Sequence, residues 1–355
     1  MFQRISELRE YIDDNSAFLV TSDVNRFYLT LFRSSAGAVF VTKKSAYLLV
    51  DFRYYEAAKK IENADLSVIC FSNRFDAINE IIDREDIKSV ALEKSTVTLE
   101  EYAVYKEKLN TEINTDFALS DILLDMRCVK SDDEINCIKK AQRIAEKSYI
   151  ELLNYIKVGV SEHRIAVELE YLMRKYGAER PAFDTIAVSG KNSSLPHGVP
   201  GDKLLEHGDF LTLDFGAVYN GYHSDMTRTV AIAYATDQMK DVYNTVYDAH
   251  IKAASIIRSD VSCADVDIAA RDYIENCGYG EFFGHSTGHG VGLDIHEKPI
   301  VYKTNNVILK SGMVITVEPG IYIPDKFGVR IEDMYLVTEN GSVDLAILDK
   351  ELIIL

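Results

Sequence analysis

The chain has 355 residues, 47% hydrophobic and 27% charged, a balance that belongs to an ordinary globular protein with room for two domains. With 39 basic residues against 56 acidic ones, its formal net charge is −17. That charge argues against nucleic-acid and membrane partners, yet carboxylates are the ligands hard divalent ions prefer.

The opening MFQRISELREYIDD is charged throughout and lacks the apolar stretch of a signal peptide, and no segment approaches the roughly 20 apolar residues needed to span a bilayer. Cys70, Cys128, Cys137, Cys263 and Cys277 form no CxxC pair and are odd in number, so they read as reduced thiols of a cytoplasmic protein. In the first 125 residues, short apolar runs at 17–20, 37–42, 46–51, 66–71 and 89–93 predict strands. They alternate with helical stretches at 1–13, 53–62, 74–83 and 98–109, the pattern of an α/β layer domain with a mixed or parallel sheet. Ser131 followed by Glu134 forms a capping box, and Ile135, Ile138, Ala141, Ala145, Tyr149, Leu152 and Ile156 recur at helical spacing behind it. The domain boundary is placed just before that helix, giving domains 1–128 and 129–355.

Glycine and proline mark the second half. All six prolines lie at Pro181 or later, and 17 of the 19 glycines at Gly177 or later, so this half is rich in turns and special backbone geometry. Helices at 132–156 and 161–176 are followed by the runs 210–216 and 227–234, which frame Asn220-Gly221 and read as a β-hairpin. Helices at 237–257 and near 263–276 come next, then strands around 313–318 and 328–337. Helices segregated from an antiparallel sheet make an α+β domain.

Two features in this half carry chemistry. His285, His289 and His296 fall within twelve residues of GHSTGHGVGLDIHE. Gly284, Gly288, Gly290 and Gly292 make a helix there improbable and fit a strand or loop bending closely around something. Asp214, Asp225, Glu318 and Glu332 each interrupt an apolar strand, and such residues are rarely buried unless paired or holding a metal. Four carboxylates and one neutral imidazole contribute −4, which balances two divalent ions about 3.5–4 Å apart around a bridging hydroxide. Oxygen ligands with one nitrogen favour Mn²⁺, Co²⁺, Fe²⁺ or Zn²⁺, with Mn²⁺ the expected ion.

The segment SGKNSSLPHGVPGDKLLEHGDFLTLDFGAVYNGYHSDMTRTVAI, with GHSTGHGVGLDIHE, ITVEPGIYI and GVRIED, resembles the pita-bread metallopeptidases: Xaa-Pro aminopeptidase, prolidase and methionine aminopeptidase. The elements follow the family's order over about 150 residues. The resemblance implies Asp214, Asp225, His289, Glu318 and Glu332 as metal ligands, Asp225 bidentate or bridging and Glu332 bridging both ions. It implies that His197 lines the substrate site, that His285 lies near the scissile bond, and that His296 contacts substrate or transition state. Arg330 resembles an arginine that supports the ligands or contacts substrate, and Glu318 or Glu332 is a candidate general base. The leading stretches 26–42 and 48–58 resemble the creatinase-like domain of the proline-specific branch, which implies a homodimer or higher oligomer with that domain over a neighbouring subunit's site.

The expected activity is therefore that of a dinuclear-metal Xaa-Pro aminopeptidase, with a prolidase confined to Xaa-Pro dipeptides as the alternative. A metal-free creatinase-like hydrolase and a non-catalytic binding module on the same fold both conflict with retention of all five ligand positions.

Overall fold

In the computed structural model, which describes residues 2–115 and 118–355, the chain divides into two compact units, Met1–Met126 and Arg127–Leu355. Unit one is built on strands β1 (Ser16–Val20), β2 (Ala38–Thr42), β3 (Ala46–Val50), β4 (Ser67–Cys70), β5 (Ser89–Leu92) and β6 (Glu112–Asn114). They form one mixed sheet in the order β4-β3-β2-β1-β5-β6, parallel except at β2. Helices α1 (Phe2–Glu10), α2 (Asp23–Thr30), α3 (Phe52–Ala58), α4 (Arg74–Glu85), α5 (Leu99–Lys108) and α6 (Leu119–Cys128) precede, connect or follow the strands. Ile78, Ile81 and Ile82 of α4 pack against Leu19, Phe40, Leu49 and Val90 of the sheet.

The expected strands and helices of this unit are present to within a few residues, with residue 1 of the first helix outside the described residues. Helix α2 was not anticipated. Its VNRFYLT run is rich in residues with modest helix propensity, but the Ser22 side chain accepts from Asn25 N and caps it, and burial of Tyr28 and Leu29 outweighs the rest. The short β6 and α6 were missed too.

Unit two opens with α7 (Asp132–Leu152) and α8 (Glu162–Lys175), and the capping box is made: Glu134 accepts from Ser131 N at 2.9 Å. Strands β7 (Ile186–Ser189), β8 (Phe210–Phe215), β9 (Val218–Tyr219), β10 (Tyr222–His223) and β11 (Met226–Ala231) follow. The hairpin reading holds: β8 and β11 pair antiparallel from Phe210↔Ala231 to Phe215↔Met226. At its tip Asn220 (φ 49°) and Gly221 (φ 84°) adopt the left-handed geometry that Asn-Gly favours. Helices α9 (Asp237–Ile256) and α10 (Cys263–Asn276) precede β12 (Gly288–Gly290), β13 (Glu297–Val301), β14 (Val314–Val317), β15 (Gly320–Ile323), β16 (Phe327–Arg330), β17 (Asp333–Val337) and β18 (Ser342–Asp344). Every ladder among these strands is antiparallel. Helices α7 and α8 bury Tyr149, Leu152, Leu169 and Leu172 with Leu211, Leu213 and Phe215 of β8. Helices α9 and α10 bury Val242, Val246, Val266 and Ala270 with Ile315, Val317, Val329 and Ile331. Strands carrying the candidate residues are thus backed by helices on apolar faces.

One polar contact ties α9 to those strands. Fully buried His250 donates from Nδ1 to Ile331 O (3.2 Å) and accepts at Nε2 from the Tyr335 hydroxyl (2.8 Å). Burial first, then the Lys350 and Arg228 charges, pushes its pKa from 6.5 down to about 3. Between those values the unfolded chain binds a proton that the folded chain refuses, so stability falls as pH drops below the unfolded pKa. Chemical denaturation should show about 2 kcal/mol lost on this account by about pH 5. His250→Gln, which keeps a donor and an acceptor, should flatten that part of the pH profile.

Candidate metal centre

The acidic residues that looked out of place in apolar strands converge on one buried spot. Asp214 lies near the end of β8, and Asp225 immediately precedes β11. Gly216 makes the bend between them: a Cβ there would stand 1.8 Å from Ser224 O. Glu332 occupies the break between β16 and β17, where its backbone bridges Thr227 of β11 and its carboxylate accepts from Thr227 Oγ1 at 2.7 Å. Glu318 leaves β14 with its N–H on Thr287 O at 2.8 Å, and Thr316 Oγ1 donates to its carboxylate at 3.2 Å.

His289 sits in β12, a strand as the glycine spacing implied. Its flanking glycines permit the close pairing, since a Cβ on Gly288 would lie 2.0 Å from Thr316 O and one on Gly290 2.2 Å from Lys298 O. Its Nδ1–H donates to Gly290 O at 3.0 Å, which leaves Nε2 as an acceptor facing Glu318 Oε1 (3.4 Å) and Asp225 Oδ2 (3.5 Å). Ligand atoms of Asp225, His289 and Glu332 all lie within 4.8 Å of one another. Asp214 stands beside them, with Oδ2 held by Arg330 Nη2 at 2.6 Å and Oδ1 buried without a hydrogen-bond partner.

Acceptors therefore crowd a space with few donors. Burial, reinforced by the charges of Asp214 and Glu318, raises the Asp225 carboxyl well above its ordinary value. Glu332 is raised likewise by burial and then by Asp225, Glu318 and Asp214. Burial lowers the His289 pKa and keeps the imidazole neutral. A neutral imidazole nitrogen, carboxylates that repel one another and an orphaned Oδ1 fit divalent cations, whose charge would relieve the repulsion. All five expected ligand positions thus belong to one cluster.

The other expected residues divide into buried and exposed groups. Arg330 is engaged on every nitrogen: Nε to Thr227 Oγ1 (3.2 Å), Nη1 to Tyr322 Oη (2.7 Å) and Pro196 O (3.3 Å), and Nη2 to Asp214. It positions Asp214 and has no nitrogen left unengaged for a substrate carboxylate. His285 is half-buried, with Nδ1 on Ser286 O (2.8 Å) and Nε2 on Tyr322 Oη (3.0 Å), so both ring nitrogens are occupied. His296 is exposed and packs edge-to-face on His289 with ring centroids 4.4 Å apart; partial burial, then His289, lowers its pKa. His197 is exposed on the loop after β7.

Sequence reasoning missed the supports. Tyr322, joining His285 to Arg330, was visible as a lone polar-tipped aromatic in GIYI. Asp267 and Arg271 of α10 brace the glycine-rich segment: Asp267 accepts from Thr287 N–H and hydroxyl, and Arg271 donates to Phe283 O and His285 O. Glu297 is buried beside His296 and accepts from Arg127, from Lys130 Nζ (3.1 Å) and from Asp294 N (3.1 Å). Burial pushes its carboxyl up, but Lys130 and Arg127 outweigh that and hold it below its ordinary value.

Such an acceptor-rich cluster, on strands backed by helix pairs, has the donor set that fits divalent ions. The model for metallopeptidase family M24 matches residues 136–339, and that for the creatinase/prolidase N-terminal domain matches residues 4–129. The chain belongs to metallopeptidase family M24 and has the pita-bread fold. It is similar to the Xaa-Pro dipeptidase of Pyrococcus horikoshii, 40% identical over 99% of both chains. Among solved structures it is similar to an Xaa-Pro dipeptidase from Bacillus anthracis (TM-score 0.95, 40% identity, all of both chains). It is also similar to an X-Pro aminopeptidase from Thermotoga maritima (TM-score 0.91, 35% identity, 98% of this chain and all of the other). Among the described residues, no helix is long and apolar enough to cross a membrane.

Two outcomes are expected from this geometry. Calorimetric titration with Mn²⁺ should show uptake by the wild-type chain and its loss or severe weakening in Glu332→Gln, which keeps the shape but removes the charge; equal uptake would remove Glu332 from the ligand set. Glu297→Met leaves Arg127 and Lys130 buried with their shared carboxylate gone and should cost about 3–5 kcal/mol in urea unfolding.

Proposed function

We propose that this chain is a metal-dependent exopeptidase that hydrolyses the bond preceding proline, with Xaa-Pro dipeptides as its substrates. The observation carrying the chemistry is the acceptor cluster itself: the free Nε2 of His289 and the carboxylates of Asp214, Asp225, Glu318 and Glu332 in one buried space. Divalent ions held there supply the charge that polarises a scissile carbonyl and acidifies a water.

The chain's own groups do the rest. Glu318, partly exposed and steadied by Thr316, is placed to accept the proton of the attacking water. His296 keeps an exposed face and a depressed pKa, so at neutral pH it offers a neutral ring to the developing oxyanion. His285, with both nitrogens engaged, fixes Tyr322, which in turn receives a hydrogen bond from Arg330. Arg330 holds Asp214 in place. The bond before proline is a tertiary amide that lacks an N–H, so a site recognising it needs no acceptor for that hydrogen.

Dipeptides as the substrate class depart from the expectation drawn from the sequence, which favoured the aminopeptidase. Support for the dipeptide reading comes from the relatives named as dipeptidases at 40% identity over essentially the full chain. The similarity to the Thermotoga enzyme supports the second reading, an aminopeptidase acting on longer peptides. Mass spectrometry of products from Mn²⁺-supplemented protein given Ala-Pro and Ala-Pro-Ala separates them. Cleavage of Ala-Pro alone is expected; release of alanine from the tripeptide at a comparable rate would establish the aminopeptidase. Cleavage of neither, with Co²⁺ and Zn²⁺ also tried, would overturn the Xaa-Pro assignment.

A further inference from the structure

The first unit holds a polar cavity of its own. In its sheet β1 pairs with β2 on one side, and the chain returns from β4 to place β5 on the other, so the strand order reverses at β1/β5. A crevice outside the carboxyl ends of parallel strands at such a reversal is where open α/β sheets bind ligands. A cavity of about 500 Å³ lies there. Thr21 and Ser22 line it just beyond β1, Asp51 beyond β3, Phe71 beyond β4 and Thr96 a few residues beyond β5.

The lining carries both signs of charge, and not all of it is spent. Asp23, Asp51 and Glu101 face it with Arg26 and Arg74. Asp23 pairs with Arg26 at 2.7 Å, and Asp51 pairs with Arg53 at 2.6 Å. Arg26 also donates to Thr21 O and Ser34 O, but its Nε is buried without a partner. Arg74 makes neither a hydrogen bond nor an ion pair among the described residues; its guanidinium lies over the Tyr105 ring, 5.4 Å from the centroid. Glu101 spends Oε2 on the Thr98 cap of α5 and leaves Oε1 open. Arg74 and Glu101 thus share one cavity without pairing with each other.

Opposite charges kept apart in one polar cavity suit a ligand that carries both signs. A simple anion would meet three carboxylates, and a simple cation two guanidiniums. We propose that this cavity binds a small zwitterion of the free α-amino-acid class, its carboxylate on Arg74, its ammonium on Glu101 and its side chain toward Phe71. The cavity's lining shares no residue with the metal centre, and the inference stands whether or not the Xaa-Pro reading does.

Hydrogen exchange followed by mass spectrometry on the full-length, Mn²⁺-loaded protein tests it, because protection is mapped along the chain. Glycine, L-proline and L-phenylalanine are the probes, with N-acetyl-L-proline and L-prolinamide as analogues bearing one charge each. At least one amino acid is expected to protect segments 21–26 and 71–105, and neither single-charge analogue should do so. Arg74→Met and Glu101→Gln should each weaken that protection by about tenfold or more. Arg74→Lys, which restores the charge, should recover part of it, showing that the loss is not misfolding. Protection confined to 285–296 and 318–332 would mean binding at the metal centre only and would overturn the proposal. So would absence of protection, or equal protection by N-acetyl-L-proline.

Discussion

Carboxylates cannot share a buried space without positive charge, and the second unit is organised around that constraint. Asp225 and Glu332 are nearly inaccessible, and burial raises both carboxyls, reinforced at Asp225 by Asp214 and Glu318 and at Glu332 by Asp225, Glu318 and Asp214. Solvent cannot disperse that charge. Only Arg330 among the described groups brings a full positive charge to the cluster, and it is committed to Asp214. The remainder is an imbalance the fold maintains, and a site of that kind is prepared for divalent ions rather than for stability.

The imbalance is tolerable because rigid elements impose it. The Thr227 backbone pairs with Asp214 across β8/β11 and its hydroxyl bonds to Glu332, so one residue fixes the relation of two carboxylates from distant parts of the chain. Thr316 does the same for Glu318 and His289. Behind this layer the charges are compensated. Arg228 donates to Glu332 O and to the Asp333 carboxylate, and Lys350 reaches the other oxygen of Asp333 at 3.0 Å. Adjacent residues Glu332 and Asp333 therefore meet opposite circumstances: Asp333 has two cations and Glu332 faces other acids.

How far these features could be read from the sequence follows from the range of the interactions. Amphipathic periodicity and capping boxes are local, so α7 with Ser131 and Glu134 was legible, as were the first five strands of the first unit. The Asn220-Gly221 turn was legible because its backbone geometry selects those residues. The five acidic and histidine positions stood out because each breaks an apolar or glycine-rich pattern at its own location. Their mutual distances and the role of Arg330 were not legible. Whether Arg330 faces Asp214 or a substrate depends on β8 and β16, more than a hundred residues apart. Glu297 looked like an ordinary charged residue in IHEKP because its partners Arg127 and Lys130 lie about 170 residues away in sequence. Helix α2 shows the opposite error, where a run of weak helix formers is overruled by a cap and by burial.

Commitment of donors also narrows what can recognise a substrate. Arg330, His285 and Tyr322 form a closed chain in which each polar atom on the path already has a partner, so using one for a ligand would break a buried bond. His197 and His296 have exposed faces instead, and Leu195 and Val199, on the same loop as His197, are largely exposed. On the proposed reading, discrimination between dipeptides and longer peptides falls to such exposed groups. The buried arginine supplies geometry, and on that reading a change of substrate range can leave the buried carboxylates and His289 untouched.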